Sequence, residues 1–281
     1  MDCFLFCTAY VDKNFPNHHP VRYRKWIDHY SGIKKDLGAD HIFMFDDASP
    51  DLKTDPDLAG KISVKECLTD QLSEKINTIS FRDHLGRPTW DEYSGWWRSF
   101  TYSIAVARKY GFEKIIHIES DFYILSDRLV KFISSLNSGW TSLFCAEANF
   151  PETGIQVICK DCFLELEKFY TQAQSSAYKF KQIAEYLLPF TDVVRDFNGD
   201  RFNWPQLYGW LSGAIELNDL DYYGQLPAEV KPFSVAELKK VLQDMKSHPA
   251  FSDELDTETF YTIIMDTFQL NNLLLAPMSA V

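Results

Sequence analysis

Short apolar runs and amphipathic stretches alternate along the first half of the chain. Phe4-Leu5-Phe6-Cys7-Thr8-Ala9-Tyr10 has the length and continuity of a buried strand. Beyond a loop holding Pro16 and Pro20, the residues Trp26, Tyr30, Ile33 and Leu37 recur at helical spacing and stop at Gly38, which suits the left-handed position past a helix end. His41-Ile42-Phe43-Met44-Phe45 predicts a second strand and Ile62-Ser63-Val64 a short third one. The polar stretch from Asn77 to Tyr93 reads as irregular. A helix with Trp97, Phe100, Ile104 and Ala107 on one face then runs up to Gly111. Ile115 to Ile118 predicts another buried strand, and Asp127 to Leu136 a helix with Leu129, Phe132, Ile133 and Leu136 inward. Strands over Ser142 to Glu147 and Ile155 to Cys159 follow, then mostly helix from Phe163 to Leu188 and a last helical segment around Val235 to Met245.

Strands that alternate with helices predict an α/β fold with a mixed, mainly parallel sheet flanked by helices, followed by a helical and irregular C-terminal region. No internal repeat or linker divides the chain, so residues 1–160 and 161–281 read as two halves of one domain. The 281 residues suffice for a large core, and 46% of them are hydrophobic. A formal net charge of −12 without a basic patch argues against nucleic acid or an anionic membrane as partner. No apolar run approaches the ~20 residues that span a bilayer, and Met1-Asp2-Cys3-Phe4 lacks the basic segment of a signal peptide, so the expected location is cytoplasmic. The six cysteines fall mostly in apolar runs and read as buried thiols; Cys159 and Cys162 lack the second pair that a zinc site needs.

The chemistry concentrates where strands end. Ile115-Ile116-His117-Ile118 leads directly into Glu119-Ser120-Asp121, and the second strand leads into Asp46-Asp47-Ala48-Ser49-Pro50-Asp51. Acids at such places lie on the rim where open α/β sheets bind ligands. Two carboxylates one residue apart offer hard oxygen ligands for Mg²⁺ or Mn²⁺, although Asp, Ser and Pro also build ordinary turns.

This order of elements, with its two acid-tipped strands, resembles the GT-A superfamily of nucleotide-sugar-dependent glycosyltransferases over roughly Phe4 to Cys159. The resemblance implies that Thr8, Ala9 and Tyr10 line the base and ribose through backbone groups and a ring face. Asp46 and Asp47 match the acids that meet the nucleoside, and Glu119 and Asp121 match the metal motif, with Glu in place of the commoner Asp. It implies Mn²⁺ or Mg²⁺ as cofactor, a nucleoside diphosphate sugar, most simply a UDP-sugar, as donor, and a saccharide acceptor. Arg98, at the start of the helix before the metal strand, would pair with the diphosphate; the loop before it gathers further cations, which makes Arg82 or Arg87 a candidate to touch phosphate or the donor sugar. Glu147 and Asp200 are the candidates for the catalytic base. The aromatic stretch from Phe197 to Trp210 is either an acceptor wall or core packing, and His248 is a candidate third metal ligand.

A sugar nucleotidyltransferase uses a similar sheet but normally carries a Gly-rich basic loop after its first strand, which Tyr10-Val11-Asp12-Lys13-Asn14-Phe15 does not supply. A non-catalytic relative that binds a glycan or protein through the aromatic C-terminal surface is the rival from another class. A haloacid-type phosphatase would need its acid pair after the first strand.

Overall fold

Strand β1 (Cys3–Ala9) lies inside the sheet and is apolar on both faces because both are covered. Cys3, Leu5, Cys7 and Ala9 face one core, while Phe4 and Phe6 face the other. The structure is a computed structural model that describes residues 1–15, 18–89, 92–146, 149–175, 179–201, 220–225, 235–252 and 256–271. Helix α1 (Pro20–Ile33) buries Tyr23, Trp26, Ile27 and Tyr30 against the first core. On the second core lie α3 (Ser94–Thr101) and α4 (Ser103–Tyr110), through Trp97, Phe100, Ile104 and Ala107. A sheet sandwiched between helical layers results, which is the expected α/β class.

The eight-stranded sheet has the order β3-β4-β2-β1-β5-β8-β7-β9. Its strands are β2 (His41–Asp46), β3 (Ile62–Lys65), β4 (Ile76–Ser80), β5 (Lys114–Ile118), β7 (Trp140–Cys145), β8 (Phe150–Cys159) and β9 (Asp192–Val194), besides β1. Only β8 runs against its neighbours β5 and β7; the other pairings are parallel. β6 (Tyr123–Ile124), β11 (Tyr222–Gly224) and β10 (Gly199–Arg201) form a small second sheet. Both β9 and this sheet tie residues from beyond position 161 to strands of the first half.

Several elements depart from the sequence reading. The supposedly irregular segment begins with β4, which has polar Asn77 and Thr78 in its middle; Asn77 spends its side-chain amide on Ser73 and Lys75. Helix α2 (Pro56–Lys61) is too short for a period to register, and Asp55 caps it by accepting from Leu58 N at 2.8 Å. The helix expected up to Gly111 is broken at Tyr102 into α3 and α4. β7 begins at Trp140, earlier than expected, and β8 at Phe150. α5 (Asp127–Ser135) matches its expected span, but α6 (Phe163–Ala173) stops well before Leu188. After it, Phe180 stacks on Trp97 at 3.9 Å between ring centroids, and among the described residues up to Leu188 only α7 (Ala184–Leu187) is helical again. α8 (Val235–Lys246) matches the expected last helix, yet α9 (Thr257–Leu270) follows it, capped by Asp256. Five cysteines are buried, but Cys67 is exposed. Among the described residues no helix is long and apolar enough to cross a membrane.

Candidate functional site

Parallel pairing brings the ends of β2, β1 and β5 to one edge of the sheet. Thr8 is level with Phe45, Ala9 with Asp46, and Phe6 with His117. The acids that follow β2 and β5 therefore emerge on the same rim, where open α/β sheets hold their ligands. A cavity of about 1050 Å³ opens there. Of the residues singled out from the sequence, Thr8, Ala9, Tyr10, Asp47, Arg87, Glu119 and Asp121 line it.

Glu119 is held in place from three sides. Its carboxylate accepts from Thr8 Oγ1 at 2.8 Å and from Trp96 Nε1, and His117 Nε2 stands 3.1 Å away. Burial alone would push its pKa up, but His117 and the hydrogen bonds from Trp96 and Thr8 outweigh that and leave it below the ordinary carboxylate range. Asp121 meets Arg22, whose Nη2 lies 3.2 Å from Oδ1, and Arg22 Nε donates to Ser120 Oγ at 2.8 Å. Burial disfavours the charge on Arg22, yet Asp121 above all, and Glu119 to a lesser degree, raise its pKa above the usual arginine value.

Asp46 and Asp47 part company. Asp46 is fully buried and accepts from the hydroxyls of Ser49 and Ser80 and from Ser49 N, so it closes the turn after β2 from inside. Burial pushes its pKa up and these hydrogen bonds pull it part of the way back. Asp47 lines the cavity, but its carboxylate already accepts from Leu85 N, Gly86 N and Arg98 Nη2, with His84 Nδ1 3.0 Å away. It fastens the loop around Gly86 and the start of α3 to the strand end.

Arg98 accordingly serves Asp47 and Asp83 O, with its guanidinium 4.2 Å from the Phe81 ring, and is not among the lining residues. Arg82 is an exposed residue facing Glu66 at 3.4 Å. Arg87 does reach the cavity, its guanidinium 4.2 Å from the Tyr93 ring. Tyr23 Oη binds both the amide and the carbonyl of Tyr10, and His84 stacks on the Tyr10 ring at 4.0 Å, so this residue's backbone groups and one ring face are already engaged.

Glu147 lies outside the described residues. Asp200 is in β10, level with Tyr223 of β11, and its side chain is not among the described ones. Of the aromatic stretch, Phe197 packs on Phe132 and under Arg128, and residues 202–210 lie outside the described ones. His248 faces Asp266 at 3.6 Å.

Arg22 is one site residue that the sequence reading missed. It had one available signal, a cation in the first turn of a helix, where the helix dipole disfavours positive charge. His18, Glu152 and Glu185 line the cavity as well. Glu152 is buried and accepts from Gly154 N at 3.0 Å, and Glu185 accepts from Thr153 Oγ1 at 2.9 Å.

The side chains as placed do not complete a metal site. Three donors approach the Glu119 carboxylate and a guanidinium adjoins Asp121. Among the described residues no three His, Cys, Asp or Glu side chains converge to hold an ion.

The sequence matches no protein-family description and no curated protein. Among solved structures, it is similar to a glycosyltransferase involved in glycosylation of the major capsid of PBCV-1, with 12% identity over 87% of this chain and 100% of that one and a TM-score of 0.44. A cytidylyltransferase from Leptospira borgpetersenii serovar Hardjo-bovis aligns at 8% identity over 100% of both chains, with a TM-score of 0.44. HddC from Yersinia pseudotuberculosis aligns at 12% identity over 68% of this chain and 88% of that one, with a TM-score of 0.35.

Proposed function

We propose that this protein is a transferase acting on nucleotide sugars, and specifically a glycosyltransferase that moves a sugar from a nucleoside diphosphate, UDP in the first instance, to a saccharide hydroxyl. The observation that carries the reading is the single cavity edge onto which β1, β2 and β5 deliver Thr8 to Tyr10, Asp47, and Glu119 with Asp121. Its volume of about 1050 Å³ suits a ligand as large as a nucleoside diphosphate sugar.

In this reading the tips of β1 and β2 hold the nucleoside, the Glu119 to Asp121 turn holds the diphosphate end, and the wall with Glu152, Thr153 and Glu185 meets the acceptor. A carboxylate on that wall is suited to take the proton from an attacking hydroxyl, whereas cations near the diphosphate favour its departure. The nucleotidyltransferase alternative is weaker because the segment after β1 offers neither glycine nor a basic cluster. Its turn is instead closed by Asp12, which accepts from Asn14 N at 2.9 Å and from Asn14 Nδ2 at 3.0 Å.

The test is calorimetric titration of UDP, CDP and GDP in buffer containing Mn²⁺, followed by a screen of nucleotide sugars for slow hydrolysis in the absence of acceptor. Saturable binding of one diphosphate, with release of its sugar, is the expected result. Heat from none of the three would sink the proposal.

A further inference from the structure

Resting on that reading, we propose that Arg22, and not a divalent cation, is the countercharge for the donor diphosphate, with Asp121 as the positioning residue that holds Arg22 at the cavity wall. The donor set carries this inference. A carboxylate offers about four lone-pair sites. The sites on Glu119 face Thr8, Trp96 and His117, and that arrangement knits the tips of β1, α3 and β5 together. Three partners leave about one site for a metal, so Glu119 could not ligate an ion through both oxygens without displacing part of this lattice. The other acid of the pair is no more available: Asp121 stands 3.2 Å from a guanidinium, so a divalent ion bound there would face a fixed positive charge.

Arg22 has what an anion site requires. Its side chain is 15% exposed, it lines the cavity, and two neighbours fix its orientation, Ser120 at Nε and Asp121 at Nη2. Guanidinium is the side chain best matched to phosphate oxygens, through paired N–H donors in a rigid fork. It sits in the first turn of the fourteen-residue helix α1, whose positive end contributes to the same field. Arg87, also on the cavity wall, is placed to add a second charge. The acid-Ser-acid turn thus holds a cation supplied by the protein itself.

The experiment is titration of UDP into the full chain in EDTA and again in Mn²⁺, for the wild type and for Arg22→Ala, Arg22→Lys, Asp121→Asn and Asp121→Glu. The wild-type Kd is expected to agree within about twofold between the two buffers. Loss of a charge-assisted contact should raise Kd about 10- to 100-fold in Arg22→Ala. Arg22→Lys, which keeps the charge and so guards against a mere folding defect, should fall between the two. Asp121→Asn should weaken binding equally in EDTA and Mn²⁺, and Asp121→Glu should restore it, since a carboxylate again orients the guanidinium. Binding that appears only with Mn²⁺, with the Asp121→Asn loss confined to that buffer, would overturn this inference and leave the nucleotide-sugar reading standing. No binding of UDP, nor of CDP or GDP put in its place, in either buffer would overturn both.

Discussion

Gly95 lies against the carboxylate of Asp47 so closely that a Cβ added there would stand 2.7 Å from Asp47 Cγ and 2.9 Å from Gly86 N. Neither neighbour can move freely. Asp47 is held by Arg98 and the loop amides, and Gly95 N donates to Gly86 O at 2.8 Å. The absence of a side chain at position 95 therefore lets the first turn of α3 dock on the tip of β2. Gly95→Ala is expected to destabilise the protein by about 1–3 kcal/mol, as overpacking does in a rigid site. A urea midpoint equal to that of the wild type would show that the Asp47 cluster yields.

Tyr23 makes a second clamp of this kind. Its buried hydroxyl accepts from Tyr10 N at 3.1 Å and donates to Tyr10 O at 2.8 Å, which ties α1 to the end of β1. Tyr23→Phe leaves a backbone amide and carbonyl at the cavity edge without this partner. The expected loss is about 1–3 kcal/mol. UDP affinity should fall as well, because the turn carrying Tyr10 loses its anchor; thermal denaturation and calorimetry on the same variant would measure both effects.

What could be read from the sequence follows from how each signal arises. β1, β2 and β5 were legible because burial on both faces demands unbroken apolar runs, and the acids at their tips stood out against that background. β4 was hidden because two polar residues, Asn77 and Thr78, stand buried inside the sheet, where Asn77 satisfies its side chain locally on Ser73 and Lys75. α9 was readable in principle, with Asp256 ahead of Phe260, Ile263, Ile264 and Phe268 at helical spacing, and went unread among the polar residues around it. The partners of Arg98 and Arg22 are set by tertiary structure. Residue type and helix position are the same whether a guanidinium meets Asp47, Asp121 or a ligand, and only the fold decides which.

Asp46 offers a test of burial against hydrogen bonding. Its pKa lies above its ordinary 3.8, chiefly through burial, so the folded state holds the proton more tightly than the unfolded chain does. Stability from this group therefore declines as pH rises from about 3.8 through the folded pKa. Asp46→Asn carries no such cost. Relative to the wild type, its stability should improve as pH is raised through that window, as read from urea midpoints at a series of pH values. Asp46→Ala should instead lose about 1–3 kcal/mol, since the hydroxyls of Ser49 and Ser80 and the amide of Ser49 lose their common acceptor.

Glu119 should behave in the opposite sense, which allows the two acids to be told apart in one experiment. Burial opposes its charge, but His117 together with the donors Trp96 and Thr8 more than compensates, and its pKa is depressed below the ordinary 4.5. A depressed carboxylate contributes stability that is fully present above 4.5 and is lost as pH falls through the folded pKa. Glu119→Gln, which cannot ionise, should therefore be the less stable protein at neutral pH, and its deficit should shrink below about 4.5. The same substitution places an amide NH₂ where one of the carboxylate oxygens accepts from Thr8 or Trp96, so part of the deficit will persist in acid. The informative quantity is the slope of urea midpoint against pH between neutrality and the acid limb. If Glu119→Gln matches the wild-type slope there, the stabilisation of Glu119 does not depend on its charge, and the idea that this carboxylate is held ionised by His117, Trp96 and Thr8 fails.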